Sequence, residues 1–214
     1  MVNGERPAGL LLAGGRSRRM REALGGDGDK ALLDLAGRPM ISHVIARLAP
    51  QTSRLVINAN SDPALYGGFG LPVVPDPMAG FKGPLAGILA GLRWSMVQCP
   101  AATHIVSASA DAPFLPTDLV ARLEAALDGA CNAIAVAQSG GRLHPVIGLW
   151  PVALAEDLEA ALEAGTRKVT SWISDRGAVA VEFPSVDIRG RVVDPFFNAN
   201  TPGELAQARE LLAG

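Results

Sequence analysis

Short apolar runs alternate along this chain with longer amphipathic stretches. Residues 9–13 (GLLLA) show no polar alternation, which predicts a strand buried on both faces, as in a parallel sheet. Residues 39–48 (PMISHVIARL) carry apolar side chains at helical spacing, with Pro39 in the first turn. Residues 54–58 (RLVIN) predict a second strand, and Val73 and Val74 lie in a third. Residues 84–96 predict a helix opened by Gly83-Pro84, residues 104–108 (HIVSA) a central strand, and residues 117–127 another helix. Strands follow over 133–137, 146–149 and 178–183, with helices over 154–163 and 167–174. Thr201-Pro202-Gly203-Glu204 has capping-box spacing and opens a last helix to Leu212. This alternation predicts an α/β fold with a mostly parallel central sheet and helices on both faces. No repeat, low-complexity tract or linker interrupts it, so one domain over 1–214 is expected.

Composition narrows the class. Of 214 residues, 49% are hydrophobic and 19% charged, which excludes a disordered chain. No apolar run is long enough to span a membrane, and Glu5 and Arg6 ahead of a short apolar stretch make a poor secretion signal. Cys99 and Cys131 form neither a disulfide framework nor metal-ligand spacing, and are expected as two buried thiols in a reducing cytoplasm. The net charge of −2 hides an asymmetry: residues 1–50 are net +3 and the remainder net −5. The basic excess is concentrated in Arg16, Arg18, Arg19 and Arg21. Such a local patch in a mildly acidic chain suits a small anionic ligand rather than a nucleic acid.

In open α/β sheets ligands bind beyond the carboxyl ends of the strands, so candidate chemistry is sought there. After the first strand comes Leu12-Ala13-Gly14-Gly15-Arg16-Ser17-Arg18-Arg19-Met20. Paired glycines let backbone N–H groups approach a phosphate, and arginines add charge-assisted bonds to its oxygens. A turn followed by solvated arginines would read the same way. Lys30, in Asp29-Lys30, would serve the same phosphates if the loop brings it there. After the central strand stands Asp111, in Asp111-Ala112-Pro113-Phe114, either a ligand for Mg²⁺ or an ordinary turn aspartate. No buried ion pair is evident around it. Asn58 and Asn60 end the second strand, and Asp76 follows the third; each is a nucleoside contact or simple turn chemistry. Gly83 and Gly87 would bring backbone close to a base or serve tight helix packing. Asn198 and Asn200 bond a ligand or belong to a helix entry. His144, in His144-Pro145 ahead of a strand, reads as structural.

Taken in order, Leu12 to Met20, Asp29-Lys30, Asn58 to Asn60, Gly83 to Gly87, Asp111 to Phe114 and Asn198 to Leu205 resemble the molybdenum cofactor guanylyltransferases. The resemblance runs from the first strand to the last helix. LAGG-x-S-x-R-M with D-K and D-x-P-F is shared with nucleotidyltransferases generally, including the cytidylyltransferase of the same cofactor. N-x-N-T-P-x-E-L is more particular to the guanylyl branch. Two departures are a lengthened segment at 21–28 and Gly203 before Glu204.

The resemblance implies a Rossmann-like nucleotidyltransferase fold, GTP and Mg²⁺ as ligands, and molybdopterin guanine dinucleotide as product. By it, Leu12, Ala13 and Gly14 line the GTP, with Lys30 on its phosphates; the residues themselves add Gly15 and Gly83 as close backbone approaches to the nucleotide and Arg19, beside the paired glycines, as a phosphate contact. Asn58 and Asp76 contact the nucleoside, Asp111 holds the metal, and Asn198 and Asn200 lie towards the pterin. The expected protein is a cytoplasmic monomer that uses no nucleic acid or membrane and exchanges cofactor with delivery or molybdoenzyme maturation proteins. The alternatives are a related enzyme using CTP or a sugar phosphate, and a nucleotide- or pterin-binding carrier without catalysis. No strong general base is required, because a phosphate monoester with a second pKa of about 6 is largely ionised at neutral pH.

Overall fold

The computed structural model describes residues 6–13, 29–78 and 83–213. Its centre is a seven-stranded sheet of order β5-β4-β1-β6-β8-β7-β9. These strands are β1 (Ala8–Leu12), β4 (Leu55–Asn58), β5 (Val73–Val74), β6 (His104–Ser109), β7 (Ala135–Ser139), β8 (Arg142–Pro151) and β9 (Val179–Glu182). Strand β1 lies parallel between β4 and β6, β5 pairs parallel with β4, and β9 pairs parallel with β7. Strand β8 runs antiparallel to both β6 and β7, so the sheet is mostly but not wholly parallel.

The helices are α1 (Met40–Leu48), α2 (Pro84–Gln98), α3 (Leu119–Leu127), α4 (Ala155–Glu163), α5 (Val169–Ser174) and α6 (Pro202–Leu212). Side chains alternate across a strand, and the central runs are apolar at both parities. Leu11, Ile57 and Val106 therefore face α1 and α3, while Leu10, Val56 and Ile105 face α2, α4 and α5. Helix α6 closes a third cluster of Leu35, Met40, Phe114, Ala199, Leu205 and Ala208. Its capping box is formed as expected: Thr201 Oγ1 accepts from the Glu204 N–H, and Glu204 accepts from the Thr201 N–H at 2.8 Å.

Several expectations are corrected. Pro39 stands at the N-cap of α1 and ends a two-stranded ribbon of β2 (Asp34–Leu35) and β3 (Arg38–Pro39), rather than lying in the first helical turn. Helices α3 and α5 begin two residues later than expected, at Leu119 and Val169. His144 and Pro145 lie inside β8, not ahead of a strand, where the β7–β8 register shifts; such an irregularity tolerates a proline that cannot donate to a ladder. Strands β7 and β8 form a hairpin whose two turn residues, Gly140 and Gly141, have φ of 53° and 74°. Gly-Gly is the sequence signal for that turn. A second ribbon, β10 (Val186–Ile188) with β11 (Arg191–Val193), was also not anticipated. Of the two cysteines, Cys99 is buried as expected and Cys131 is exposed. Among the described residues no helix is long and apolar enough to cross a membrane.

Candidate active site

The carboxyl ends of β4, β1 and β6 are held level by backbone bonds that continue past the ladder. The Ala13 N–H donates to Asn58 O at 2.9 Å, and the Ala110 N–H donates to Leu12 O at 3.0 Å. Above them lies a cleft whose lining includes Leu12, Ala13, Asp29, Lys30, Ser109 and Asp111.

Lys30 opens a single 3₁₀ turn over Lys30–Leu32. Asp29 caps that turn, accepting from the Ala31 N–H at 2.9 Å through Oδ1. Its Oδ2 accepts from the hydroxyl of Tyr66, the chain's single tyrosine, which is wholly buried. Burial first, and then the Asp29 carboxylate, push the Tyr66 phenol well above its ordinary pKa, so it stays a donor. The turn bearing Lys30 is thus clamped from below.

A buried ammonium requires charged or polar partners. Lys30 has two: its Nζ pairs with Asp111 Oδ2 and donates to Asn200 Oδ1 at 2.6 Å. The other Asp111 oxygen accepts from Ser109 Oγ. Both ends of the pair are about nine-tenths buried, which corrects the expectation that Asp111 would have no buried ionic partner. The pairing joins residues distant in sequence, so no local spacing announced it. The Ala199 N–H donates to Asp111 O at 3.3 Å and fastens the asparagine segment to the same turn. In the same segment, Asn198 has a buried Oδ1 with no hydrogen-bond partner among the described residues. Phe114 is buried beneath the Asp111 turn, its ring 6.1 Å from that of Phe197.

A second polar group sits at the end of β4. Asn58 Nδ2 donates to Asp76 Oδ1 at 3.0 Å, and Asn60 Nδ2 donates to Asp76 Oδ2 at 2.8 Å. The Asp76 N–H in turn donates to Asn60 Oδ1 at 2.8 Å, completing a closed exchange. Gly87 lets α2 approach this group, for a Cβ there would fall 2.4 Å from Asn58 Oδ1. Gly83 heads the same helix at φ 74°.

The structure therefore gathers Leu12, Ala13, Lys30, Asp111 and Asn200 in one place and sets Asn58 and Asp76 together at the end of the neighbouring strand. Gly14, Gly15 and Arg19 lie outside the described residues. Sequence reasoning missed Ser109 and Tyr66. A polar residue closing an apolar strand two positions before Asp111 was a usable signal for Ser109; nothing local marked Tyr66.

The MobA-like NTP transferase domain matches residues 9–179. The chain is 53% identical over 206 residues to a molybdenum cofactor guanylyltransferase of Bradyrhizobium sp., covering 96% of this chain and 92% of that one. Its fold is similar to the crystal structure of molybdopterin-guanine dinucleotide biosynthesis protein A from Archaeoglobus fulgidus, with TM-score 0.72, 24% identity, and 96% and 98% of the two chains covered. It is also similar to Rv0371C from Mycobacterium tuberculosis, solved as a complex with manganese, with TM-score 0.61, 18% identity, and 97% and 100% covered. The family match over residues 9–179 and the half-identical relative covering nearly the whole chain make this protein a nucleotidyltransferase belonging to the MobA-like NTP transferase family.

Proposed function

We propose that this chain transfers GMP from GTP to the terminal phosphate of molybdopterin, releasing pyrophosphate. The observation that carries the reading is the Lys30–Asp111–Asn200 contact set at the carboxyl ends of the sheet, in a chain half identical to a named guanylyltransferase. An oxygen of the acceptor phosphate attacks the α-phosphorus of GTP. The bond from that phosphorus to the bridging oxygen breaks, and pyrophosphate leaves with the electron pair. Lys30 supplies positive charge to the phosphates, and the Asn198–Asn200 segment faces the acceptor. Most of the catalytic effect is positioning and charge neutralisation. Asp76 offers two carboxylate oxygens, which match the adjacent N1–H and N2–H donors of guanine. Cytosine presents no such donor pair.

The donor set also suits Mg²⁺. Among the described residues no three acidic, histidine or cysteine side chains gather into a cage, whereas Mg²⁺ is usually held by one or two carboxylates together with substrate phosphates. Asp111 would hold the ion; Asn198 Oδ1, buried and without a hydrogen-bond partner among the described residues, is an oxygen of the right hardness on the segment bonded to Asp111 O. When bound, the ion would neutralise charge on the phosphates. Reducing cytoplasm suits an exposed free thiol at Cys131.

The test compares GTP, CTP, UTP and ATP with Mg²⁺ by thermal shift and by turnover with molybdopterin. GTP at 100 times its Kd should add about 2.7 kcal/mol of stability, and pyrophosphate should appear only with GTP. Equal or greater stabilisation and turnover with CTP would assign the chain to cytidylyl transfer instead.

A further inference from the structure

Ser139, His144 and Asp194 form a polar cluster outside the cleft. Ser139 closes β7, His144 lies in β8, and Asp194 follows β11. His144 Nε2 is 2.7 Å from Ser139 Oγ, and Ser139 Oγ lies 2.8 Å from Asp194 Oδ1. A carboxylate only accepts, so the serine proton goes to Asp194 and Ser139 Oγ must accept from His144 Nε2–H. This is the reverse of a nucleophile–base arrangement, in which the histidine would take the serine proton. Ser139 and His144 are buried, and neither is among the residues lining the cleft. The cluster is not a second active site.

Its other connections point elsewhere. Asp194 Oδ1 also accepts from the Phe196 N–H at 2.8 Å, and Asp194 O accepts from the Phe197 N–H at 3.0 Å. The His144 ring packs on Phe196 at 4.7 Å between centroids, and Phe183 meets the same ring edge-on at 5.2 Å. Two residues beyond Phe196 the chain delivers Asn198, then Ala199 to Asp111 O and Asn200 to Lys30. We infer that His144, through Ser139 and Asp194, is a positioning residue that sets the Asn198–Asn200 segment against the Lys30–Asp111 pair. The inference rests on the guanylyl-transfer reading for its kinetic arm alone.

The first measurement is hydrogen exchange over 194–200 in wild type and in His144→Phe, which keeps a ring on Phe196 but removes the N–H donor. Exchange at these amides should quicken about tenfold in the variant, since one hydrogen bond contributes on that order, while β1 and β6 stay protected. In turnover, kcat should fall about tenfold with the GTP KM within about twofold. His144→Gln, which restores an N–H donor, should recover most of it. In an Asn200→Ala background, adding His144→Phe should lower kcat by less than about twofold, because residues acting through one another are non-additive. Ser139→Ala breaks the same bridge and carries the comparison if His144→Phe does not fold. Unchanged exchange at 194–200, a wild-type kcat, or fully additive losses would overturn the inference. Wild-type protein that transfers no GMP would sink the proposed reaction and leave the exchange result to decide this one.

Discussion

A lysine and an aspartate that are both about nine-tenths buried depend on each other more than surface charges do. Removing one partner of such a pair leaves an uncompensated charge and costs about 3–5 kcal/mol. Asp111→Asn keeps the side chain's shape and one acceptor, so Lys30 retains Asn200 and loses its anion. For a chain of this size about 2–4 °C accompanies each kcal/mol, so the melting temperature should fall by at least roughly 6 °C. Guanylyl transfer should fall about 10²-fold or more, as for other single electrostatic contacts at a reacting centre. Lys30→Met should also lower melting, and the double variant should melt higher than the sum of the two losses predicts, since the members share one interaction. Calorimetry on the three variants checks this. Normal melting of Asp111→Asn would show that the pair contributes nothing to folding.

Helix α2 is where an element's packing and the site meet. Replacing a helix-interior glycine by alanine ordinarily stabilises by about 1 kcal/mol. At Gly87 the sign should reverse, because the new Cβ would stand 2.4 Å from Asn58 Oδ1 and 2.6 Å from Leu12 Cδ2. The Asn58 amide must turn away and give up Asp76, so Gly87→Ala should raise the KM for GTP by roughly tenfold, the value of one bond to a charged group. Gly91→Ala, one turn on, meets Leu10 and Ile105 instead and should lower melting while sparing that KM. Equal KM changes in both would remove Asn58 from nucleotide binding. The same element shows what sequence could and could not reveal. Helix α2, β1, β4 and β6 were legible because unbroken apolar runs and Gly-Pro punctuation are local signals. Lys30, Asp111 and Asn58 each had an ordinary surface or turn reading, and became legible through the order of several weak motifs along the chain. The Tyr66–Asp29 bond spans 37 residues and the Ser139–Asp194 bond 55, and no periodicity encodes such contacts. The β7–β8 hairpin is a different case: its Gly-Gly signal was present, but the second apolar run starts late because Pro145 interrupts it.

Across the whole molecule, the two ends of the sheet carry different burdens. The carboxyl ends of β1, β4 and β6 hold the site, whereas His104 opens β6 at the opposite end, facing Pro151 of β8. Burial lowers the pKa of His104, and burial is also the leading cause of the lowered values at His43 and His144. At His43 the Leu35 carbonyl opposes that shift, and at His144 the Asp194 carboxylate does. All three therefore take up a proton less readily folded than unfolded. As pH falls through the unfolded value of about 6.5, the unfolded chain binds protons first, and stability drops with each. The contribution is complete above that pH and is lost progressively below it, down to the lowered folded values. Melting temperature should accordingly be flat from pH 8 to 7 and decline between pH 6.5 and 5. The His104 share can be isolated without touching the site. His104→Asn can keep the 3.0 Å contact to Thr103 through its amide, removes a buried Nε2 that lacks a partner among the described residues, and does not titrate. Its melting curve should fall less steeply with acid than wild type, with turnover at pH 7.5 unchanged. An identical slope in variant and wild type would show that acid acts on other groups, the remaining two histidines or the carboxylates, rather than on this buried imidazole.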